Sequence, residues 1–220
     1  DMTPARYDQY VTYNLSDDSN TGTITMERKL LAISSATVVK QENVNNVWSN
    51  GIIQGGTYAI EGDVTVNGPL IVDGSIDIIL KDRSQLNAIQ GIHLESGAHL
   101  EIFSQSEKSW NMGKLFANSA EKNGYGIGGG DAGCINIFGG FVKATGVNSP
   151  GLGARAIRII GGDITAKSDY EAAIGSVDYG LGAENRFIGI YGGTVIAKSD
   201  YEAAIGGGAD IQIYGGKVDA

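Results

Sequence analysis

The sequence predicts an all-β protein, a right-handed three-walled parallel β-helix with an N-terminal β-rich cap or small flanking module. Three observations carry the prediction. Apolar residues alternate with period two in short runs, a Gly-Gly pair follows those runs, and the pattern returns about every 22 residues. Glycine, 34 of 220 residues, is about twice its usual share. Apolar residues make up 42%, enough for a continuous core.

Residues 1–50 hold strand-like runs (YVTYNL, GTITMERKLLAISSATVV) but no Gly-Gly. They are expected to cover the first turn of the repeat, because an uncovered sheet edge recruits other chains. Trp48 is assigned to the packing of this cap. Residues 51–220 are expected to form the repeat domain. Its early part is fainter: Val64, Leu86 and Leu115 are placed on one wall, Leu70, Ile92 and Ile127 on a second, and Ile78, Leu100 and Ile135 on the third.

From Ile135 the repeat is explicit. INIFGGFVKA, IRIIGGDITA, IGIYGGTVIA and IQIYGGKVDA begin at Ile135, Ile157, Ile188 and Ile211, offsets of 22, 31 and 23. Each reads apolar-x-apolar-x-Gly-Gly-x-apolar-x-Ala. The Gly-Gly is read as a tight corner needing positive φ, with Gly161 the example chosen for the strain. A third short strand follows at Leu152, Ile174 and Ile205. Ala144, Ala166, Ala197 and Ala220 are expected inside a narrow corner, and the residues near Ser176–Glu184 as an outward loop.

Composition narrows function. A formal net charge of −9 argues against nucleic acid and anionic membrane surfaces and allows cations, neutral sugars or basic proteins. No apolar run is long enough for a membrane-spanning helix. The one cysteine, Cys134, is read as a small core residue. The chain opens at Asp1 and stops within a repeat, which predicts a longer natural protein.

The order of an entry segment from Gly51, a GIHLESGAHLEIF turn, GKLFA, GIGGG and then repeated I-x-I-x-G-G-x-V-x-A resembles a family of bacterial cell-surface proteins. These are adhesin-like, secreted, carbohydrate-binding β-helix repeats of gut anaerobes. The resemblance covers about residues 51–220. It implies an extracellular, cell-surface location and a host or plant glycan, or another surface protein, as partner, with no established catalytic set.

The sharpest candidate site is the decapeptide AKSDYEAAIG, present at Ala166–Gly175 and again at Ala197–Gly206. Its corner stacks Asp169 on Asp200 and Glu171 on Glu202, like charges about 4.8 Å apart, which is unfavourable. Three readings stay open. Duplication alone leaves identity without a site. A cation such as Ca²⁺ would be held by Asp169, Glu171, Asp200 and Glu202. A sugar would stack on Tyr170 and Tyr201 with Asp169 and Asp200 bonding its hydroxyls. Phe138, Tyr191 and Tyr214, interrupted by Ile160, are read as structural stacking.

An enzyme reading, a polysaccharide lyase or glycoside hydrolase, needs convergent acid and base groups. Asn136, Arg158, Gly189 and Gln212 on one outer face and Lys143, Thr165, Ile196 and Asp219 on another do not supply them. His93 and His99 are read as surface residues, and GIGGG as a corner and not a phosphate loop. The sequence therefore favours a monomeric, non-catalytic adhesion or glycan-binding module, with a ligand-free structural stalk as its plain version.

Overall fold

The computed structural model describes residues 9–18, 23–119, 121, 123–129, 133–175 and 186–220. The loop expected near Ser176–Glu184 lies outside the described residues. With strands numbered in chain order, β1 (Gln9–Asp18) and β2 (Thr23–Ala32) form an antiparallel hairpin. β3 (Thr37–Val39), a single helical turn α1 (Val44–Val47) and β4 (Ile52–Ile60) follow. Two parallel sheets take up the rest.

The seven-stranded sheet holds β5 (Asp63–Val66), β7 (Gln85–Ala88), β10 (Lys114–Asn118), β13 (Phe141–Gly146), β16 (Asp163–Ser168), β19 (Thr194–Ser199) and β22 (Lys217–Asp219). The thirteen-stranded sheet has two arms. One holds β8 (Ile92–Leu94), β11 (Ile127–Gly128), β14 (Leu152–Gly153), β17 (Ile174–Gly175) and β20 (Ile205–Gly206). The other holds β9 (His99–Ser104), β12 (Cys134–Ile137), β15 (Ala156–Ile159), β18 (Phe187–Ile190) and β21 (Asp210–Ile213). The arms meet at β6 (Leu70–Leu80), which also pairs with β4, and β4 with β3. From β7 onward each strand pairs with the strand three places on, so the chain returns to the same edge once per circuit.

The three-walled parallel β-helix, or solenoid, expected from the sequence is corrected by this topology. The parallel strands form two sheets, one of them bent, and not three separate walls. The physical reason is β6. It runs unbroken for 11 residues, pairing with β8 through Leu70–Val72 and with β9 through Ser75–Leu80. Gly74, at φ +91°, lets the backbone bend within the strand, where the register with β4 shifts between Gln54 and Gly56 and the pairing on the other side passes from β8 to β9. The next circuit spends two more residues on the same bend, through Glu95–Ala98. Ile76, and not Ile78, therefore stands beside Leu100, and Ile78 stands beside Ile102.

Downstream the register follows the repeat. Ile135, Ile157, Ile188 and Ile211 are consecutive partners, as are Val142, Ile164, Val195 and Val218. Ile135, Ile157, Ile188, Val142, Ile164 and Val195 belong to one continuous core with the buried Ala144, Ala166 and Ala197, whereas Ile211, expected inward, is 40% exposed and Val218 is partly buried. Ala220, expected inside, is exposed. Each fully buried Ile or Leu contributes about 1.5–3 kcal/mol relative to exposure, against about 0–1 kcal/mol for a surface ion pair, so the ladders dominate stability. Trp48 is buried edge-on against Tyr58, their ring centroids 5.8 Å apart, within the same core.

Outside the core, Phe103 stacks on Phe138 at 4.6 Å and Tyr191 on Tyr214 at 5.0 Å. Ile33, Ala59 and Ile79 pack with Phe103 in a smaller cluster. Among the described residues no helix is long and apolar enough to cross a membrane.

The two glycines of each corner serve different needs. Gly162 has φ +95°, and a Cβ there would lie 2.5 Å from the carbonyl oxygen of Gly140. Gly161 is not in the left-handed region, but its Cβ would lie 2.8 Å from the carbonyl oxygen of Phe138. The strain assigned to Gly161 thus belongs to Gly162, and Gly161 is required by the closeness of the preceding circuit.

One corner carries alternating charge. Lys40, Glu61 and Lys81 follow β3, β4 and β6, and Glu61 bridges Lys40 at 2.7 Å and Lys81 at 2.6 Å. Hydrogen bonds from Lys40 first and Lys81 second hold the Glu61 carboxyl down at about 2.

Two expectations follow from these contacts. Gly162→Ala should cost about 1–3 kcal/mol from the positive φ, with more from the carbonyl contact, whereas Asp163→Ser should stay within about 0.5 kcal/mol. Equal urea midpoints for the two variants would refute the strained corner. A carboxyl with a lowered folded-state pKa stabilises above the ordinary carboxylate range and loses that contribution as pH falls through about 2. Thermal melts should therefore place Glu61→Gln below wild type at pH 7, with the gap closing under acid. A gap independent of pH would exclude this linkage.

Candidate functional site

The repeated corner is assembled by the ladders on either side of it. β16 pairs with β19 so that Ala166 meets Ala197 and Ser168 meets Ser199, and β17 pairs with β20 so that Ile174 meets Ile205. With both flanks in register, the two SDYE segments stack. The Glu202 N–H donates to the Tyr170 carbonyl at 3.2 Å, and the Ser199 hydroxyl to the Glu171 carbonyl at 2.8 Å. The Tyr170 N–H donates to the Ser168 hydroxyl at 3.3 Å.

The tyrosines point outward. Tyr170 is 51% exposed and Tyr201 78%, with ring centroids 5.5 Å apart and planes tilted by 37°. This is a small aromatic platform spanning two circuits, flanked by the exposed Asp169, Asp200 and Glu202 and by Lys167 beside Lys198. Rings of this kind present an apolar face with a polar tip, the arrangement that accepts the C–H face of a sugar.

The identical carboxylates have different surroundings. Asp169 Oδ1 accepts a 2.5 Å hydrogen bond from the Asn148 N–H, whose residue sits at φ +52° in the preceding corner. Asp200 has no such partner among the described residues. Nor does the cation reading gain a centre: no group of three or more His, Cys, Asp or Glu among the described residues is placed to hold a metal ion. Asp169, Glu171, Asp200 and Glu202 line a corner and do not converge.

Sequence reasoning missed three other features. Trp110 lies between β9 and β10, in the insertion SQSEKSWNMG that interrupts the period. It is 70% exposed, with Lys108 Nζ 5.7 Å from its ring centroid. The insertion is braced by Asn111, which donates to Asp82 and accepts from Arg83 Nε at 3.0 Å, and by Tyr13, which donates to Glu107. Burial pushes the Asp82 carboxyl up, opposed by Arg83 and by the Asn111 hydrogen bond. An aromatic inside a length change was the available signal.

The second feature lies on the outer face of β6, β9, β12 and β15, where Asp77 and Glu101 extend the expected Asn136 and Arg158 pair into a row across the strands. Asn136 Nδ2 donates to Glu101 Oε1 at 2.9 Å, and His99 Nδ1 lies 2.6 Å from Cys134 Sγ. Burial chiefly pushes the Cys134 thiol up, Glu101 adds to this and Arg158 opposes it, which is contrary to an activated nucleophile. In this row the Glu101 carboxylate is tied to the Asn136 amide nitrogen, while Asn136 Oδ1 is buried without a partner among the described residues. His99 is thus not simply a surface filler but the partner of a cysteine 35 residues away. The third feature is a hollow at the cap, described below.

The two copies of the decapeptide should respond differently to one substitution. Asp169→Ala removes a backbone contact and should lower stability by about 1 kcal/mol. Asp200→Ala should be neutral or slightly stabilising, since it relieves like charge. Equal losses of melting temperature at the two positions would contradict the asymmetry.

No protein-family model matches the sequence, and no curated protein or solved structure matches it either, so the resemblance to surface repeats rests on the motifs alone.

Proposed function

We propose that the chain is a non-catalytic glycan-binding module whose platform is Tyr170 with Tyr201. The supporting observation is that both tyrosines of the stacked corners are exposed, 51% and 78%, whereas Phe103 is buried beside Phe138 and, of the Tyr191 and Tyr214 pair, only Tyr214 is exposed, at 48%. Exposed aromatic area costs solubility, and an isolated pair held rigidly by backbone ladders binds a planar apolar face with little ordering cost. The carboxylates of Asp169 and Asp200 flank the rings as acceptors for hydroxyl groups. A host or plant polysaccharide is the ligand class in this reading, and such a ligand places the module outside a bacterial cell. Near Glu101 and Cys134 the carboxylate accepts from the Asn136 amide nitrogen and burial pushes the thiol up, which does not favour an activated nucleophile there.

Affinity electrophoresis with soluble xylan, galactomannan and gastric mucin tests the proposal. At least one should retard wild type, and Tyr170→Ala with Tyr201→Ala should weaken retardation about tenfold or more without changing the melting temperature. Wild type that migrates freely through all three, or a double variant retarded like wild type, would refute the platform.

A further inference from the structure

A hollow of about 560 Å³ lies at the cap end, remote in sequence from the repeated corner. One wall is α1 with the turn after it, and the other is the corner joining β5 to β6. The volume falls within the range of small-molecule sites, about 300–1,000 Å³.

The walls are held in place by the chain itself. The Gln41 side chain accepts from the Thr65 N–H at 2.6 Å and donates to the Thr65 carbonyl at 3.3 Å, tying one wall to the other. Gln90 Nε2 donates to the Asn67 carbonyl at 2.9 Å. Asn50 and Gly51 both have positive φ, and a Cβ on Gly51 would lie 2.2 Å from the Pro69 carbonyl oxygen, so these two segments touch as backbone. Val44 and Trp48 anchor the first wall in the main core. A hollow built this way needs no ordering on binding.

Its chemistry is uniform. In a chain of net charge −9, none of the lining residues is charged. The side-chain amides of Asn45, Asn50 and Asn67 lie at the hollow, and no hydrogen bond holds them among the described residues. Val66 and Pro69 supply apolar area beside them. Trp48, which also lines the hollow, is 2% exposed, and its indole N–H is buried without an acceptor. An amide offers both a donor and an acceptor, as a hydroxyl does, so several amides around an apolar floor match a neutral polyhydroxylated ring. An anionic sugar would be desolvated there with no cation to pair with.

We propose that this hollow is a second binding site, for one neutral sugar unit, with Asn45, Asn50 and Asn67 bonding hydroxyl groups and Trp48 forming part of the wall behind them. The site does not depend on the reading of Tyr170 and Tyr201.

The test follows the two tryptophan indole resonances, Trp48 and Trp110, in the ¹H–¹⁵N spectrum of the whole chain. The probes are methyl galactoside, methyl mannoside, methyl xyloside and N-acetylglucosamine, with methyl galacturonide as the charged control. At least one neutral probe should shift the Trp48 signal saturably at millimolar concentration, and the galacturonide should not. Asn45→Ala with Asn67→Ala, both exposed positions, should weaken that probe about tenfold or more while leaving the fold intact. Tyr170→Ala with Tyr201→Ala should leave the Trp48 titration unchanged, which separates the two sites. A Trp48 signal unmoved by all neutral probes, equal binding of the galacturonide, undiminished affinity in the asparagine variant, or loss of the Trp48 titration in the tyrosine variant would each overturn the proposal.

Discussion

The parallel backbone ladder between each strand and the strand three places on is the interaction from which the other features take their positions. It sets adjacent circuits about 4.8 Å apart, so a residue meets its counterpart in the next circuit whatever its chemistry. For Ile135, Ile157 and Ile188 the meeting is favourable, because each covers the next and all are removed from water. At the Gly-Gly corners it leaves no space for a Cβ, as the 2.5 Å approach at Gly162 demonstrates. For charged residues the ladder is indifferent or hostile. Lys40, Glu61 and Lys81 meet it with alternating sign, whereas Asp169 and Asp200 repeat the same sign on an exposed corner where water screens them.

The same residue type packs differently on the two aromatic columns. Tyr191 and Tyr214 immediately precede Gly-Gly corners and stack nearly parallel, at an interplanar angle of 13°. Tyr170 and Tyr201 sit on wider corners, where the rings tilt apart and remain wetted. Position along the circuit sets how the rings meet, nearly parallel in one column and tilted in the other, and Tyr214 is exposed at 48% as well.

Much of this was legible in the sequence because it repeats. The partners of Ile135, the burial of Ala144, Ala166 and Ala197 and the stacking of the two decapeptides all follow from constant spacing, and the ladders have that register. What could not be read is what the repeat does not control. The unbroken passage of β6 through Gly74 needs two residues fewer than the next circuit, and it joins two arms into one sheet. Which glycine of a pair carries the positive φ depends on local geometry that both share in sequence. The amides of the cap hollow come from two unlike segments, and the pairing of His99 with Cys134 spans 35 residues without a motif.

The circuit has a mechanical consequence. Among the described residues, from β7 on, each strand pairs only with its counterparts one circuit before and one after. A pull that separates the last circuit from its neighbour loads one circuit's hydrogen bonds and apolar contacts, and the remainder keeps its register. Release of a 22-residue circuit such as Ile135 to Ile157 frees about 70–80 Å of extended chain. Under tension the protein would therefore lengthen in steps set by the length of each circuit, absorbing work circuit by circuit.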